Sequence, residues 1–476
     1  MPLKPPPDQD VVVVGATGDL AHRKLLPALY NLDARKLLPG TCNIIGAAPM
    51  DWSVAKFRDF ARDAVTDFSR TGIDNAAFDR FSQRLRFVPL AEGGDLAPLR
   101  GNLPQPQRII YLAVPPSAFE PLIGSIGSNG LADGSRIIIE KPFGHDLESA
   151  RELNTALHRV VPEQQIYRID HYMGKETVQN LLVFRFGNAV FGRLWSYDSI
   201  QRVEITVAES IGVDNRGALY EQVGALRDIV QNHMFQVLAL TTMEPPNSFD
   251  AEAIRNEKVK VLNAISPIDP ADVVRGQYAA GVVATEHVPG YREEPGVAPD
   301  SATETFVALR LAVEAWRWSG VPFFLRTGKR LPVRDTRIVI VFRDVPLHLF
   351  RHVGVRELNS DRLVIRIQPD EGISLRFVAK RPGPDVDPEP VDMNFDYDTA
   401  FRVSPPEAYE TLLQDALLSD HTLFIREDEV EAGWTAVQRV LTAPPPVHPY
   451  PAGSWGPEEA GRVPRPWNWH NPEPSA

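Results

Sequence analysis

The stretch "VVVVGATGDL", residues 11–20, decides the fold because it joins a short β-branched run to the start of a helix. Gly15 and Gly18 let the backbone approach a ligand closely, and a helix N-terminus offers N–H groups to a pyrophosphate. The spacing is Gly-x-x-Gly and not the full Gly-x-Gly-x-x-Gly fingerprint, so the motif alone also fits a tight turn. Its place after the first strand of an alternating pattern favours a dinucleotide site.

The first part of the chain alternates strand-like and helix-like segments. Apolar runs recur at 41–48, 108–114, 135–140 and 164–169, with helical patterns between them. Continuous apolar strands between helices are typical of a parallel sheet that is covered on both faces. We therefore predict a Rossmann-like dinucleotide-binding domain over residues 1–178.

The second part of the chain has a different pattern. Val203, Ile205 and Val207 alternate with polar residues, and further strand-like runs follow at short spacing. This pattern is typical of an antiparallel sheet with one face on a core. We predict a larger α+β domain over residues 179–476, with a mostly antiparallel sheet, that binds substrate and forms a dimer.

Helices and a tail complete this second domain. Helical patterns at 222–242 and 405–418 are expected to cover one face of the sheet. The tail from Ala443 is rich in proline and tryptophan, so we expect an extended surface segment that is frayed after about residue 461.

Composition limits the possible partners. The 476 residues carry a net charge of −12 and include one cysteine, Cys42, so no internal disulfide can form. The acidic balance argues against a nucleic-acid partner. The N-terminus lacks the apolar segment of a secretion signal, and no apolar run reaches membrane-spanning length. We expect a cytoplasmic protein with no membrane partner and no bound metal.

A lysine follows one of the predicted parallel strands, at the edge where open α/β sheets bind ligands. In "EKPFGHD", residues 140–146, Lys141 precedes Pro142, which biases the lysine toward an extended backbone and permits a cis bond. A solvated loop lysine would explain this motif equally well.

A denser motif, "RIDHYMGKE" at residues 168–176, follows the next apolar strand. His171 and Lys175 are four residues apart and, together with Tyr172, can converge on one small anion. Lysine supplies a point charge, while histidine and tyrosine supply directed donors, a combination that suits a phosphate. The alternative is a helix start that Asp170 caps beside a solvated lysine. The position at a strand end favours the anion site.

One histidine lies within an apolar helical stripe in "LRDIVQNHMFQVLAL", residues 226–240. A lone histidine in such a stripe is more often a hydrogen-bonded core residue, yet a buried and oriented imidazole is also what a general base requires. The stripe alone does not decide the role of His233. Lys329, in "FFLRTGKRL" at residues 323–331, is by itself best explained as a surface charge.

Five segments together resemble the glucose-6-phosphate dehydrogenases. They are "GATGDLAHRKLLPALYNL", "EKPFG", "RIDHYMGKE", "RGALYEQVGALRDIVQNH" and "GVPFFLRTGKRL", in the order found in that family. The resemblance extends from Val11 to about residue 457. It implies oxidation of D-glucose 6-phosphate at C1 to 6-phospho-D-glucono-1,5-lactone, the first step of the pentose phosphate pathway. It also implies a homodimer or a dimer of dimers.

The resemblance further implies a set of site residues. His233 would be the catalytic base and Asp170 would orient it. His171, Tyr172 and Lys175 would hold the 6-phosphate, and Lys329 would reach the same end of the substrate. The remaining substrate residues would be Glu209 and Asp228 at the sugar hydroxyls, Lys141 between substrate and nicotinamide, and Gln368. The residues that bind the cofactor would be Gly15, Thr17, Gly18, Asp19, Leu20, Lys24 and Lys141.

The cofactor is where the sequence departs from the resemblance. Members that use NADP usually carry an arginine shortly after the second strand, where this chain has Pro49. Arg23 and Lys24 are possible replacements, so NADP, NAD and dual use all stay open. The alternatives for the function are an oxidoreductase of another sugar or sugar phosphate and a non-catalytic, cofactor-binding scaffold.

Overall fold

The structure is a computed structural model, and it describes residues 6–91, 93–353, 358, 360–402 and 405–472 of the chain. The β-strands, in chain order, are β1 Asp10–Val14, β2 Ile44–Ala48, β3 Leu85–Pro89, β4 Arg108–Leu112, β5 Ser135–Glu140, β6 Ile166–Ile169, β7 Ile200–Ala208, β8 Val273–Ala279, β9 Gly281–Val283, β10 Glu286–Val288, β11 Phe306–Ala312, β12 Pro322–Gly328, β13 Asp335–Phe342, β14 Arg362–Gln368, β15 Gly372–Lys380, β16 Pro388–Asp396, β17 Phe424–Ile425 and β18 Val447–Pro451.

The helices lie between these strands. Two π-helical segments, Ala21–Leu25 and Leu226–Met234, lead directly into α-helices. The α-helices are α1 Leu26–Ala34, α2 Val54–Phe68, α3 Asn75–Arg84, α4 Phe119–Ser128, α5 Leu147–His158, α6 Glu176–Phe186, α7 Ala189–Leu194, α8 Gly217–Tyr220, α9 Phe235–Thr242, α10 Ala251–Asn263, α11 Tyr397–Phe401, α12 Ala408–Leu418 and α13 Glu427–Thr442. None of the helices in the described part combines the length and the apolar character that crossing a bilayer requires.

The described residues divide into two compact units. The first comprises residues up to Glu176 together with Pro246–Asn256 and Pro405–Glu431, and the second comprises the rest. The sequence assigned all residues after 178 to one domain, so the two returning segments were not foreseen. The domain division at residue 178 stays a prediction.

The first unit has the predicted parallel sheet. Its strand order is β17-β6-β5-β4-β1-β2-β3, and every pair except β17 with β6 is parallel. Strand β1 therefore lies between β2 and β4, where the chain changes direction across the sheet. Such a switch point is where doubly wound sheets bind ligands, at the carboxyl ends of the strands.

The second unit has a nine-stranded sheet in the order β16-β15-β14-β13-β7-β12-β11-β8-β18. Most of its neighbours are antiparallel, which confirms the predicted mixed fold. The pairs β7 with β12 and β8 with β18 are parallel. The carboxyl ends of β7 and β12 therefore lie side by side.

One predicted packing is wrong. Helix α12 was expected on the antiparallel sheet, but it belongs to the first unit. There Arg136 donates to the carbonyl oxygen of Ala416 over 2.9 Å, and Asn31 donates to Glu410 over 3.0 Å. The apolar pattern predicted a helix correctly, but a pattern alone does not specify which sheet the helix covers.

The expected fraying of the tail is also wrong. Strand β18 pairs with β8, and Trp467 and Trp469 pack against buried residues of the second unit. The backbone N–H of His470 donates to Glu204 over 2.9 Å, and Glu204 is 1% exposed. The tail therefore contacts polar residues on the second face of β7, which explains why both faces of that strand are buried.

Candidate active site

The first unit contains a glycine turn suited to a dinucleotide. Gly15 follows β1 with φ +87°, and a β-carbon there would lie 2.3 Å from the carbonyl oxygen of Ala113. Only glycine can make this turn without moving the neighbouring strand. Thr17 is partly exposed, and Gly18 and Asp19 are exposed, where the following helix begins. The turn therefore lies at the switch point and has the open backbone that a pyrophosphate site requires, and the binding of the pyrophosphate by these residues stays a prediction.

The charges near the end of β2 differ from the expectation for NADP. Pro49 follows β2 directly. Lys24, which was predicted to help with the 2′-phosphate, forms an ion pair with Glu407. Arg23 is more than half exposed, and its guanidinium lies 4.0 Å from the exposed carboxylate of Asp19. Of the two predicted replacements, Arg23 is therefore less engaged with a strong counter-charge than Lys24.

Lys141 follows a half-buried glutamate at the end of β5. The Lys141-Pro142 bond is cis, an option that the sequence left open. Glu140 accepts hydrogen bonds from Tyr111 over 2.5 Å and from Tyr409 over 3.1 Å. Burial raises the pKa of Glu140, and the two tyrosine hydrogen bonds partly offset that effect. This network fixes the backbone from which Lys141 projects.

The predicted phosphate residues come together in one turn after β6. Asp170 accepts the backbone N–H of Tyr172 over 2.9 Å, so it caps the turn as the alternative reading proposed. The ring centroids of His171 and Tyr172 are 5.1 Å apart, and the Lys175 ammonium lies 5.3 Å from the Tyr172 ring. A β-carbon on Gly174 would lie 2.6 Å from a carbonyl oxygen of α12. We call the three side chains His171, Tyr172 and Lys175 the clamp.

In the second unit, His233 lies in the π-helical segment Leu226–Met234 and is 1% exposed. Hydrogen bonds in a π-helix join residues five apart, so residues at that separation lie one turn above each other. Asp228 and His233 are five apart and therefore project from the same side of the segment. Such segments are frequent at functional sites. The sequence pattern, which assumed α-helical spacing, did not predict this geometry.

Glu209 and Lys329 meet at the ends of two parallel strands. Glu209 follows β7, Lys329 follows β12, and their side chains form an ion pair of 2.7 Å. Lys329 is 5% exposed, so it is not the surface charge that its motif alone suggested. The structure therefore groups Lys329 with a residue predicted to bind sugar hydroxyls. Its predicted reach to the phosphate stays a prediction.

Gln368 lies at the end of β14, in register with Thr336 of β13, and Thr336 is itself paired with Val207 near the end of β7. Gln368 donates to Thr336 over 2.9 Å, and it accepts a hydrogen bond from Arg334 over 3.2 Å. Arg334 is exposed and is a cation that sequence reasoning did not single out. Arg334 lies close to Lys329 in the chain, and this was the feature of the sequence that could have identified it.

A residue that stabilises the predicted ligand-binding residues of the first unit was also not predicted from the sequence. Tyr409 donates to Glu140, and its ring lies parallel to that of His171, with centroids 6.5 Å apart and planes 8° apart. Tyr409 is more than 200 residues from either partner, and its helix was assigned to the wrong sheet. No local signal identified it.

Comparison with known proteins identifies the family of the chain. The family models for the glucose-6-phosphate dehydrogenase NAD binding domain and C-terminal domain match residues 12–180 and 182–468. A glucose-6-phosphate 1-dehydrogenase of Mycolicibacterium smegmatis is 46% identical, with 95% of each chain covered.

Two solved structures are similar over nearly the whole chain. A glucose-6-phosphate 1-dehydrogenase from Mycobacterium avium is 39% identical with a TM-score of 0.86, covering 98% of this chain and 100% of the other. A glucose-6-phosphate dehydrogenase in complex with its substrate glucose 6-phosphate is 35% identical with a TM-score of 0.88, covering 99% and 100%.

Proposed function

The chain belongs to the glucose-6-phosphate dehydrogenase family, and we propose that it oxidises glucose 6-phosphate at C1 to the 1,5-lactone. The observation that carries this proposal is the clamp. Its histidine, tyrosine and lysine converge within one turn at the carboxyl end of β6, beside the strand that carries Lys141. A point charge with two directed donors binds a phosphate more strongly than an uncharged sugar hydroxyl, because only the phosphate supplies a counter-charge.

The second unit supplies the proton chemistry in this proposal. His233 accepts the proton of the C1 hydroxyl while the C1–H bond breaks and its electron pair leaves as hydride. A bound nicotinamide dinucleotide supplies the acceptor for that hydride. Burial of His233 keeps water from competing for the proton, and one positioned base typically contributes ~10²–10⁴-fold to the rate. The role of Asp170 in orienting this base stays a prediction from the family resemblance.

The carboxylates of the second unit hold the sugar. Glu209 and Asp228 accept hydrogen bonds from sugar hydroxyls, and the remote phosphate supplies binding energy that fixes C1 in position. Lys329, which pairs with Glu209, reaches the phosphate end of the substrate in this proposal. Gln368, at the end of β14, is a further proposed substrate residue.

We propose that the enzyme uses both NADP and NAD. Gly15, Thr17, Gly18, Asp19 and Leu20 form the turn for the pyrophosphate. Pro49 offers no charge to the 2′-phosphate, so the advantage of NADP over NAD is reduced. The ion pair of Lys24 with Glu407 reduces it further because that lysine already has a counter-charge.

The proposal extends to the cellular location, the pathway and the oligomeric state of the enzyme. We propose a cytoplasmic enzyme that catalyses the first step of the pentose phosphate pathway. We also propose a homodimer, or a dimer of dimers, that assembles through the sheet of the second unit. The outer strand β16 of that sheet is exposed along most of its length and includes Met393, which is 61% exposed. Sedimentation at the assay concentration tests the oligomeric state.

Turnover of four substrate pairs tests the reaction. Purified protein is assayed with glucose 6-phosphate or glucose, each with NADP or NAD. We expect kcat/KM for the phosphorylated sugar to exceed that for glucose with either cofactor. Equal values would favour an oxidoreductase of unphosphorylated sugars. Binding of the cofactor without any turnover would favour a non-catalytic scaffold.

A further inference from the structure

Four buried tyrosines share one core cluster of the second unit, and one of them differs from the others. Tyr278, Tyr291 and Tyr450 donate hydrogen bonds of 2.9, 2.6 and 2.7 Å to Glu294, Glu221 and the carbonyl oxygen of Lys329, respectively. Tyr220 is only 8% exposed, yet its hydroxyl has no hydrogen-bond partner among the described residues. A buried hydroxyl without a partner is costly, so it requires an explanation.

The charged residues around Tyr220 indicate the role of its hydroxyl. The ammonium of Lys329 lies 5.1 Å from the centre of the Tyr220 ring, and the same ammonium pairs with Glu209. Burial first, and then the charges of Asp228 and Glu209, raise the pKa of Tyr220 well above its ordinary value. The hydroxyl therefore stays protonated and is a hydrogen-bond donor.

We propose that the Tyr220 hydroxyl donates a hydrogen bond to a hydroxyl oxygen of the bound sugar. Tyr220 is then a further residue that binds and positions the substrate. This inference rests on the proposed function and adds a contact to the same site.

The chemistry of the neighbours selects a sugar hydroxyl over the phosphate. The charges of Glu209 and Asp228 act on the tyrosine, and the Lys329 ammonium is already paired with Glu209, so the surroundings of the hydroxyl have no excess of positive charge for a phosphate. A sugar hydroxyl can donate to a carboxylate and accept from the phenol at the same time. The cation–π contact gives the Tyr220 ring a second role, since it helps to hold the Lys329 ammonium in position.

Tyr220→Phe tests the proposal because two effects have opposite signs. The change removes only an unpartnered hydroxyl from the free protein, so Tm should stay equal or rise. The lost hydrogen bond should raise KM for glucose 6-phosphate about 3- to 12-fold, while KM for the cofactor stays unchanged. A tyrosine that served only the core would show the same Tm result but would leave KM for glucose 6-phosphate unchanged.

Tyr291→Phe is the matched control. Its ring packs edge-on against Tyr220, with centroids 6.1 Å apart, and its hydroxyl is hydrogen-bonded to Glu221. This variant should lose stability and keep the KM of the parent for the sugar phosphate. A series of monodeoxy glucose 6-phosphates then identifies the contact. The analogue that lacks the contacted hydroxyl should bind equally well to the parent and to Tyr220→Phe.

Calorimetric binding of glucose 6-phosphate separates this inference from the proposed function. Binding by the parent without turnover would contradict the proposed reaction, and a weaker Kd in Tyr220→Phe would still support the contact. An unchanged Kd in Tyr220→Phe, or no binding by the parent, would overturn the inference.

Discussion

The parallel sheet of the first unit and the mostly antiparallel sheet of the second gather their ligand-binding side chains in different ways. In the first, each group lies in a short motif at the end of a strand, as Gly15 after β1, Lys141 after β5 and the clamp after β6 do. In the second, Glu209 and Lys329 are 120 residues apart in the chain and meet because β7 and β12 are parallel neighbours.

This difference explains why short sequence motifs predict the ligand-binding residues of the first unit better than those of the second. A parallel sheet brings all its carboxyl ends to one edge, so order along the chain is enough to place the motifs together. In a mixed sheet, position depends on strand pairing, which a single sequence does not state. The family resemblance supplied the residues of the second unit, and the structure supplied the pairing that joins two of them.

The largest expected effect tests the second unit. His233→Asn should lower kcat by at least ~10²-fold while the protein stays folded, because asparagine cannot accept the proton. Steady-state kinetics with a folding control by circular dichroism measure this effect. Near-normal turnover in a folded variant would make His233 a core residue and would leave the second unit without its proposed base.

His421→Asn is the control for that variant. His421 stacks on Tyr167, with ring centroids 4.0 Å apart, and burial is the main cause that lowers its pKa to about 4. The substitution should lower Tm through lost packing and leave kcat close to that of the parent.

The next prediction concerns how the first unit discriminates between NADP and NAD. Pro49→Arg adds one charge-assisted partner for the 2′-phosphate, so the ratio of kcat/KM for NADP to that for NAD should rise by about 10- to 150-fold. Pro104→Arg adds the same charge at an exposed position before β4, near the opposite edge of the sheet, and should leave the ratio unchanged. Strong NADP selectivity in the parent, unchanged by Pro49→Arg, would show that other residues read the phosphate.

The smallest effect concerns a segment that returns to the first unit. Burial, and then the charge of Asp420, raise the pKa of Asp415 in α12 to about 7. An unfolded aspartate titrates near ~3.9, so the free energy of unfolding falls as the pH rises from about 4 to 7, and the full penalty applies above that window.

Asp415→Asn should remove part of that penalty, because the asparagine amide is itself costly to bury. Denaturant unfolding should show a gain of about 1–2 kcal/mol at pH 8 and little gain near pH 4. A gain of equal size at both pH values would contradict the raised pKa and point to improved packing instead.

The contrast between the two sheets also explains how much of the fold and of the site can be predicted from the sequence. Apolar runs predicted the parallel strands well because each is buried on both faces and bounded by helices. The polar residues of β7, such as Glu204, predicted a solvent-facing side, but the tail covers them. The placement of α12, and with it Tyr409, depends on contacts more than 200 residues apart in the chain. Such contacts leave no periodicity to detect.

The preference for a phosphorylated sugar rests on the clamp, and one substitution tests the clamp. Lys175→Ala removes the point charge, so KM for glucose 6-phosphate should rise roughly 10- to 150-fold, whereas kinetics with unphosphorylated glucose should hardly change. Lys260→Ala, which removes an exposed lysine on α10, should change neither. Equal losses for the two sugars in Lys175→Ala would contradict the clamp.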